Sequence, residues 1–279
     1  MVWQRDVDLV VPLWQGGDDM RVAPGAAALA RLIPTGGSRL HISVTDGPRT
    51  TVDGILNLDI VADTQRQLRD RLTRRDPRRT LTLGGDCTSD LAAVQHLAAR
   101  HPGMTCYWVD AHPDLNTPAT SPSGRAHGMP LRALLGEGHP RMTGDHTAAL
   151  SPTAVTLLAT RDFDPAELDY VRTNRITHIG PDALAADPTA ATTGRPPGSP
   201  AYIHLDIDAC DPADLPAVAC PTPGGPTAPA LAATLRALHD HHDVVGIGIC
   251  EYAPVIEHTP QRVQALLDAL ALTAPAPTA

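Results

Sequence analysis

At 279 residues, with 42% hydrophobic content and a formal net charge of −9, the chain is long enough to bury a large core. It is too acidic to favour nucleic acid or an anionic membrane as partner, since both call for basic surface. No apolar run approaches the roughly 18 residues of a membrane helix, and Met1-Val2-Trp3-Gln4-Arg5-Asp6 lacks the apolar stretch of a signal peptide. A cytoplasmic protein acting on a small molecule is expected. Cys87, Cys106, Cys210, Cys220 and Cys250 are scattered singly with no C-x-x-C pair, which argues against a disulfide framework or a zinc ribbon.

Apolar strand-like runs alternate with longer helical patterns almost from end to end. The spacing predicts strands over Val7–Pro12, Leu40–Val44, Thr80–Leu83, Thr105–Val109, Val155–Ala159, Ile176–Ile179, Tyr202–Leu205 and Val244–Cys250. It predicts helices over Pro24–Leu32, Asp63–Arg75, Ser89–Arg100, Leu131–Leu135, Pro165–Thr173, Ala228–His241 and Pro260–Leu272. This alternation points to an α/β protein of three layers, α-β-α, with a mainly parallel sheet of roughly eight strands in a single domain over 1–279. Asp187–Pro200 reads as an exposed loop, and the Ala/Pro/Thr-rich tail Thr273–Ala279 is expected to fray. The arginines between Arg66 and Arg79 read as a solvated helix face.

In such folds the active site lies beyond the carboxyl ends of the strands, and there the reactive residues collect. The strand ending at Val109 runs into Asp110-Ala111-His112-Pro113-Asp114, so three potential metal donors leave it at alternate positions and share a face. The strand ending at Leu205 repeats the design with Asp206 and Asp208. Four aspartates gathered this way could not all stay ionised unless divalent cations sat between them, which points to a two-metal site. Three further strands end in Gly84-Gly85-Asp86-Cys87-Thr88, Thr160-Arg161-Asp162-Phe163-Asp164 and Glu251-Tyr252-Ala253-Pro254. Asp86 and Asp90 read as capping or supporting groups beside Cys87.

Those segments, with Asn116-Thr117-Pro118 through Ser123-Gly124-Arg125-Ala126-His127-Gly128, Asp206 through Pro216-Ala217, and Gly16-Gly17 and Pro24-Gly25 near the start, resemble the arginase (ureohydrolase) family in chain order and spacing. The resemblance implies an arginase-like fold and two Mn²⁺ per chain. Asp110 and Asp206 would bridge the ions, Cys87 and Asp114 would complete one, and His112 and Asp208 the other. A water or hydroxide between the metals would attack the guanidino carbon. Glu251 would pair with the guanidinium and His127 would act as general acid or base. Asn116, Ser121, Ser123 and Asp164 match positions that hold the α-amino and α-carboxylate groups of an amino-acid substrate. Related enzymes are often trimers or hexamers, which leaves a homo-oligomer open.

The sequence departs from the family in three places. Most members carry histidine where this chain has Cys87. With a neutral histidine, two divalent ions, four carboxylates and one hydroxide sum to −1; a thiolate makes the sum −2. That weakens the Lewis acid and makes arginine, a strongly basic cation, a harder substrate. Cys220 stands where a threonine usually faces the guanidinium, and Arg125 replaces an asparagine of the carboxylate-binding loop. These changes resemble the branch that hydrolyses Nω-hydroxy-L-arginine to L-ornithine and hydroxyurea, as in the biosynthesis of the antibiotic D-cycloserine. The alternatives are an ordinary arginase, a hydrolase of another guanidino acid, and an inactive metal-binding paralogue. A single-zinc deacetylase of related fold is disfavoured because two carboxylate pairs imply two metals.

Overall fold

The computed structural model describes residues 2–144 and 150–273. Its strands are β1 Val7–Val11, β2 Ser38–His41, β3 Thr51–Val52, β4 Ile55–Leu56, β5 Thr80–Gly84, β6 Thr105–Val109, β7 Val155–Leu158, β8 Thr177–Ile179, β9 Pro200–Asp206 and β10 Asp243–Cys250. The helices are α1 Ala23–Leu32, α2 Leu58–Arg75, α3 Leu91–Arg100, α4 Pro130–Leu134, α5 Pro140–Thr143, α6 Pro165–Asn174, α7 Pro181–Ala186, α8 Ala228–His241 and α9 Pro260–Ala269. All strands except β3 and β4 form one sheet in the order β2-β1-β5-β10-β9-β6-β7-β8, and every pairing in it is parallel. No helix among the described residues is long and apolar enough to cross a membrane.

Helices cover both faces because successive strand side chains alternate between two cores. Tyr107, Val109, Ile203, Leu205, Ile247 and Ile249 pack with α1, α8 and α9 on one face. Cys106, Trp108, Leu157 and Tyr202 pack with α2, α3 and α4 on the other. The register aligns the central strand ends: Ile249 lies opposite Leu83, Cys250 opposite Asp206, and Val109 opposite Leu205. Whatever follows β5, β10, β9 and β6 therefore emerges along one line, which is where the reactive segments sit.

The elements follow the sequence expectation with differences at their ends. Helix α2 begins at Leu58 instead of Asp63, because Leu58, Ile60, Val61 and Ala62 are all buried. Ser89 lies in a 3-10 turn, Cys87–Asp90, that precedes α3, and α9 stops at Ala269. The β3–β4 hairpin was not expected; it turns through Asp53 and Gly54, both at positive φ, as a two-residue Asp-Gly hairpin does. Within the expected loop 187–200 a short 3-10 turn tucks Ala191 into the core. The arginines of α2 between Arg66 and Arg75 are exposed except for Arg69, which is partly buried. Of the tail, 274–279 lie outside the described residues.

Gly85 shows how tightly the strand ends are drawn together. Its N–H donates to Val11 O (2.9 Å) and its carbonyl accepts the Glu251 N–H (2.6 Å), while a Cβ there would sit 2.1 Å from Leu13 O. Because that neighbour is backbone, Gly85→Ala is expected to destabilise the protein by about 2 kcal/mol or more. A lowered urea midpoint with unchanged slope would show it; an unchanged midpoint would mean the strand ends are not locked.

Candidate metal centre and substrate cavity

The site residues stand at the ends of the four central strands, and some hold backbone conformations that ordinary side chains avoid. Asp114 (φ 52°) and Glu251 (φ 61°) both lie in the left-handed region, a strain that persists only where surrounding contacts fix it. The Asp86 carboxylate accepts from the N–H groups of Gly16 (2.8 Å), Gly17 (3.2 Å) and Thr88 (3.0 Å). It thus ties the loop after β1 to the turn that carries Cys87, as a supporting group. Gly17 also passes beneath the His127 ring, where a Cβ would come within 2.9 Å of Nδ1.

The donors fall into groups that share members. Cys87, Asp110, Asp114 and His204 each offer a ligand atom within 4.8 Å of the others; Asp110, His112 and Asp208 form a second such group, and Cys87, Asp206 and Glu251 a third. Asp110 belongs to both of the first two, as a bridging carboxylate would. Cys87 Sγ lies 3.0 Å from Asp206 Oδ2, and His112 Nδ1 lies 3.2 Å from Asp208 Oδ2. Backbone donors aim the carboxylates: His112 N–H to Asp110 Oδ1 (2.7 Å), Asp208 N–H to Asp206 Oδ1 (2.7 Å) and Ala111 N–H to Asp208 Oδ1 (3.2 Å). The Trp108 indole donates to Asp110 Oδ2 (3.2 Å).

By themselves most of these groups are electrostatically unsatisfied; Asp208 is the exception, because burial there is outweighed by the His112 imidazole beside it, which holds its carboxyl below the ordinary value. Burial, reinforced by the Asp208 charge, pushes Asp110 up to about 6. Burial raises Asp206 and Asp114 well above the carboxylate range, helped by neighbouring aspartates. The Cys87 thiol is likewise raised by burial. Asp114 Oδ2 and His204 Nε2 are buried without a hydrogen-bond partner. Clustered acids that resist ionisation, with orphaned lone pairs among them, fit cations as the missing partners. Cys87, Asp110, Asp114, Asp206, Asp208 and His112 are the residues that would hold them.

Above these donors opens a cavity of about 160 Å³. Asn116, Ser121, Ser123, His127, Asp164, Cys220 and Glu251 line it, as do Cys87, His112, Asp114, Asp206 and Asp208. Arg125 is the one expected substrate contact that does not; its N–H donates to Ser123 Oγ (3.2 Å). Asn116 Nδ2 donates to Asp164 Oδ2 (2.8 Å), so Asp164 faces the cavity while also opening α6 as half of a capping box with Glu167. His127 Nδ1 lies 3.1 Å from Glu251 Oε1. Burial lowers the His127 pKa, but the bond to Glu251 and its charge outweigh this and raise it.

Sequence reasoning missed two residues here. Glu167 lines the cavity and accepts the Leu115 N–H (2.9 Å); the Asp164-x-x-Glu167 capping pattern was its signal. His204 joins the first donor group, and its signal was the strand period, two residues before Asp206. Arg161 has a role of another kind: its guanidinium donates to the carbonyls of Ala159, Asp208, Ala209, Cys210, Thr222 and Pro223. That clamp fixes the loop after Asp208.

The family model of the arginase family matches residues 15–274. An arginase of Staphylococcus aureus (strain MRSA252) is 30% identical over 215 residues, 74% of this chain and 71% of that protein. The arginase structure from Bacillus caldovelox superposes with a TM-score of 0.80 at 27% identity, covering 96% of this chain and 97% of that one. Proclavaminate amidino hydrolase from Streptomyces clavuligerus shares the fold, with a TM-score of 0.71 at 23% identity over 97% of this chain and 93% of that one.

The raised carboxyls set a pH dependence. Stripped of cations by a chelator, the folded chain holds these protons more tightly than the unfolded chain. Stability then falls as pH rises from the ordinary aspartate value of about 4 through the folded value of about 6 at Asp110. The thermal midpoint of chelated protein is expected to be several degrees lower at about pH 7.5 than at about pH 5, with the larger gain on adding Mn²⁺ at the higher pH. A midpoint that rises over this range would refute the clustering.

Proposed function

The chain belongs to the arginase family, and on that premise we propose that it hydrolyses Nω-hydroxy-L-arginine to L-ornithine and hydroxyurea, using two Mn²⁺ held by Cys87, Asp110, His112, Asp114, Asp206 and Asp208. As a member of that family it is a hydrolase of the binuclear-metal type, acting on a small guanidino amino acid. We read the whole chain as one catalytic domain. The observation that carries the finer reading is the sulfur of Cys87, in contact with Asp206 Oδ2 and grouped with Asp110 and Asp114.

Two divalent cations, when bound, neutralise the carboxylates and acidify the attacking water. The remaining roles fall to the chain's own groups. Glu251, at the cavity wall, pairs with the guanidino group. His127, held through Nδ1 by Glu251, keeps Nε2 to pass a proton to the departing nitrogen. Asn116 and Asp164, joined by a hydrogen bond, take the α-amino end with Ser121 and Ser123, which present hydroxyls to the α-carboxylate; Arg125 adds positive charge behind that loop. Burial pushes the Cys220 thiol up to about 12, so it stays neutral and gives the guanidino nitrogens a soft, weakly polar wall that accommodates an added hydroxyl. A thiolate at Cys87 makes the centre more negative and its water less acidic. The less basic N-hydroxyguanidine is the easier electrophile for such a centre.

The rival reading is an ordinary arginase, favoured by the Staphylococcus aureus relative that bears that name. Ornithine release by Mn²⁺-loaded protein from each substrate separates the two. The expected result is a preference for the hydroxylated substrate of about a hundredfold, roughly 2.7 kcal/mol of transition-state stabilisation; a preference for arginine would overturn it. Cys87→His is expected to move selectivity toward arginine, and unchanged selectivity with both metals in place would remove the charge argument.

A further inference from the structure

His204 is a buried side chain for which the roles above have no use. It is fully buried on β9 and shares a strand face with Tyr202 and Asp206. Its ring stacks on Trp108, its register partner on β6, at 3.5 Å between centroids and 7° between planes. His204 Nδ1 lies 2.9 Å from Asp90 Oδ2, and the Tyr202 hydroxyl donates to the other oxygen of the same carboxylate. Asp90 is itself fully buried. Gly248 makes room for it, since a Cβ there would lie 1.9 Å from Asp90 Oδ2.

These contacts fix three properties of the imidazole. The stack sets the ring plane, the bond to Asp90 sets the rotation within it, and the carboxylate keeps the proton on Nδ1. Nε2 is left with a free lone pair and has no hydrogen-bond partner; the ring offers a nitrogen within 4.8 Å of donor atoms of Cys87, Asp110 and Asp114, and with Nδ1 taken by Asp90, Nε2 is the one free to serve. Asp114 Oδ2 is the second orphaned atom of that group. Two buried acceptors without partners, close together, call for a shared electrophile. A carboxylate holding the far nitrogen of a histidine is the arrangement that orients metal-ligating imidazoles.

We propose that His204 Nε2 is a ligand of the same ion as Cys87, Asp110 and Asp114, with Asp90, Tyr202 and Trp108 as its positioning residues. This deepens the two-metal reading above and rests on it. Histidine is absent from the usual place after β5, and an imidazole from the middle of the sheet would supply the nitrogen instead. The ion then has a sulfur and a nitrogen donor besides its carboxylates, a softer set than four oxygens and a histidine.

The test is proton NMR of the protein loaded with Co²⁺ as probe, recorded beside its electronic spectrum. Imidazoles bound to Co²⁺ show strongly shifted, exchangeable N–H resonances, one for each ligand histidine. Two are expected, from His112 and His204. The second should exchange slowly with D₂O because its N–H is buried against Asp90, and it should vanish in His204→Phe, which keeps a ring on Trp108. The thiolate-to-cobalt absorption band gauges the underlying site separately. Band present with a single imidazole resonance overturns the His204 assignment alone; no band removes the thiolate site and this proposal together. Because the resonance count is made on the wild-type chain, the test stands even if the variant fails to fold. In a folded variant, Mn²⁺ titration of chelated protein should show one of two tight sites weakened at least tenfold, and two unchanged sites would overturn the assignment.

Discussion

The burial of like charge at the ends of four parallel strands governs the rest of this molecule. Asp110, Asp114, Asp206, Asp208 and Glu251 are all buried, and neighbouring members meet within a few ångströms. At roughly 4 Å and an effective dielectric of about 20, each ionised pair costs about 4 kcal/mol, against a total stability of about 5–15 kcal/mol for a typical domain. Two such repulsions left open would spend most of that margin. Protonation, the His112 imidazole beside Asp208 and cations placed within the cluster all relieve this repulsion, so metal bound there would be a structural element as much as a chemical one.

The surrounding architecture serves to hold that cluster in place. Asp114 and Glu251 reach the cavity wall from left-handed backbone. Glycines allow the close approaches: Gly85 under Leu13, Gly17 under His127 and Gly248 beside Asp90. Arg161 gathers the carbonyls of the loop behind Asp208 into one clamp. A cation there places positive charge near the carboxylates without contacting them, and so relieves repulsion without competing for the lone pairs that bind metal.

Much of this was legible in the sequence because it is local. Apolar runs alternating with helical patterns placed every strand of the large sheet, and the i, i+2 aspartates after Val109 and Leu205 pointed to the donor cluster. What stayed hidden depends on strand neighbours far apart in the chain. His204 is an unremarkable residue in an apolar strand until Trp108 from β6 and Asp90 and Cys87 from the turn after β5 are brought around it. The six carbonyls on Arg161 come from two connections, the one after β7 and the long one between β9 and α8, and no spacing announces them. The Asp53-Gly54 hairpin and the Asp164-x-x-Glu167 capping box, by contrast, carry local turn and cap signals of their own.

The exchange between Cys87 and His204 bears on substrate choice in a way that neither residue does alone. Counting nitrogens, the buried imidazole replaces the histidine lost at the turn after β5. Counting charge, it replaces nothing, because imidazole is neutral and the thiolate's extra negative charge stays. In the proposed ligand set the ion would gain a donor and keep the surplus of electron density, and both would make it a poorer Lewis acid. Such a centre could not compensate by pulling harder on its water, so the reactivity would have to come from the substrate. Hydroxylation of the guanidino group supplies it by lowering the basicity that protects arginine's carbon from attack. On the proposed ligand set, the substrate preference would be set where Cys87 and His204 hold the ion, and Cys220 on the cavity wall would have only to leave the added oxygen room.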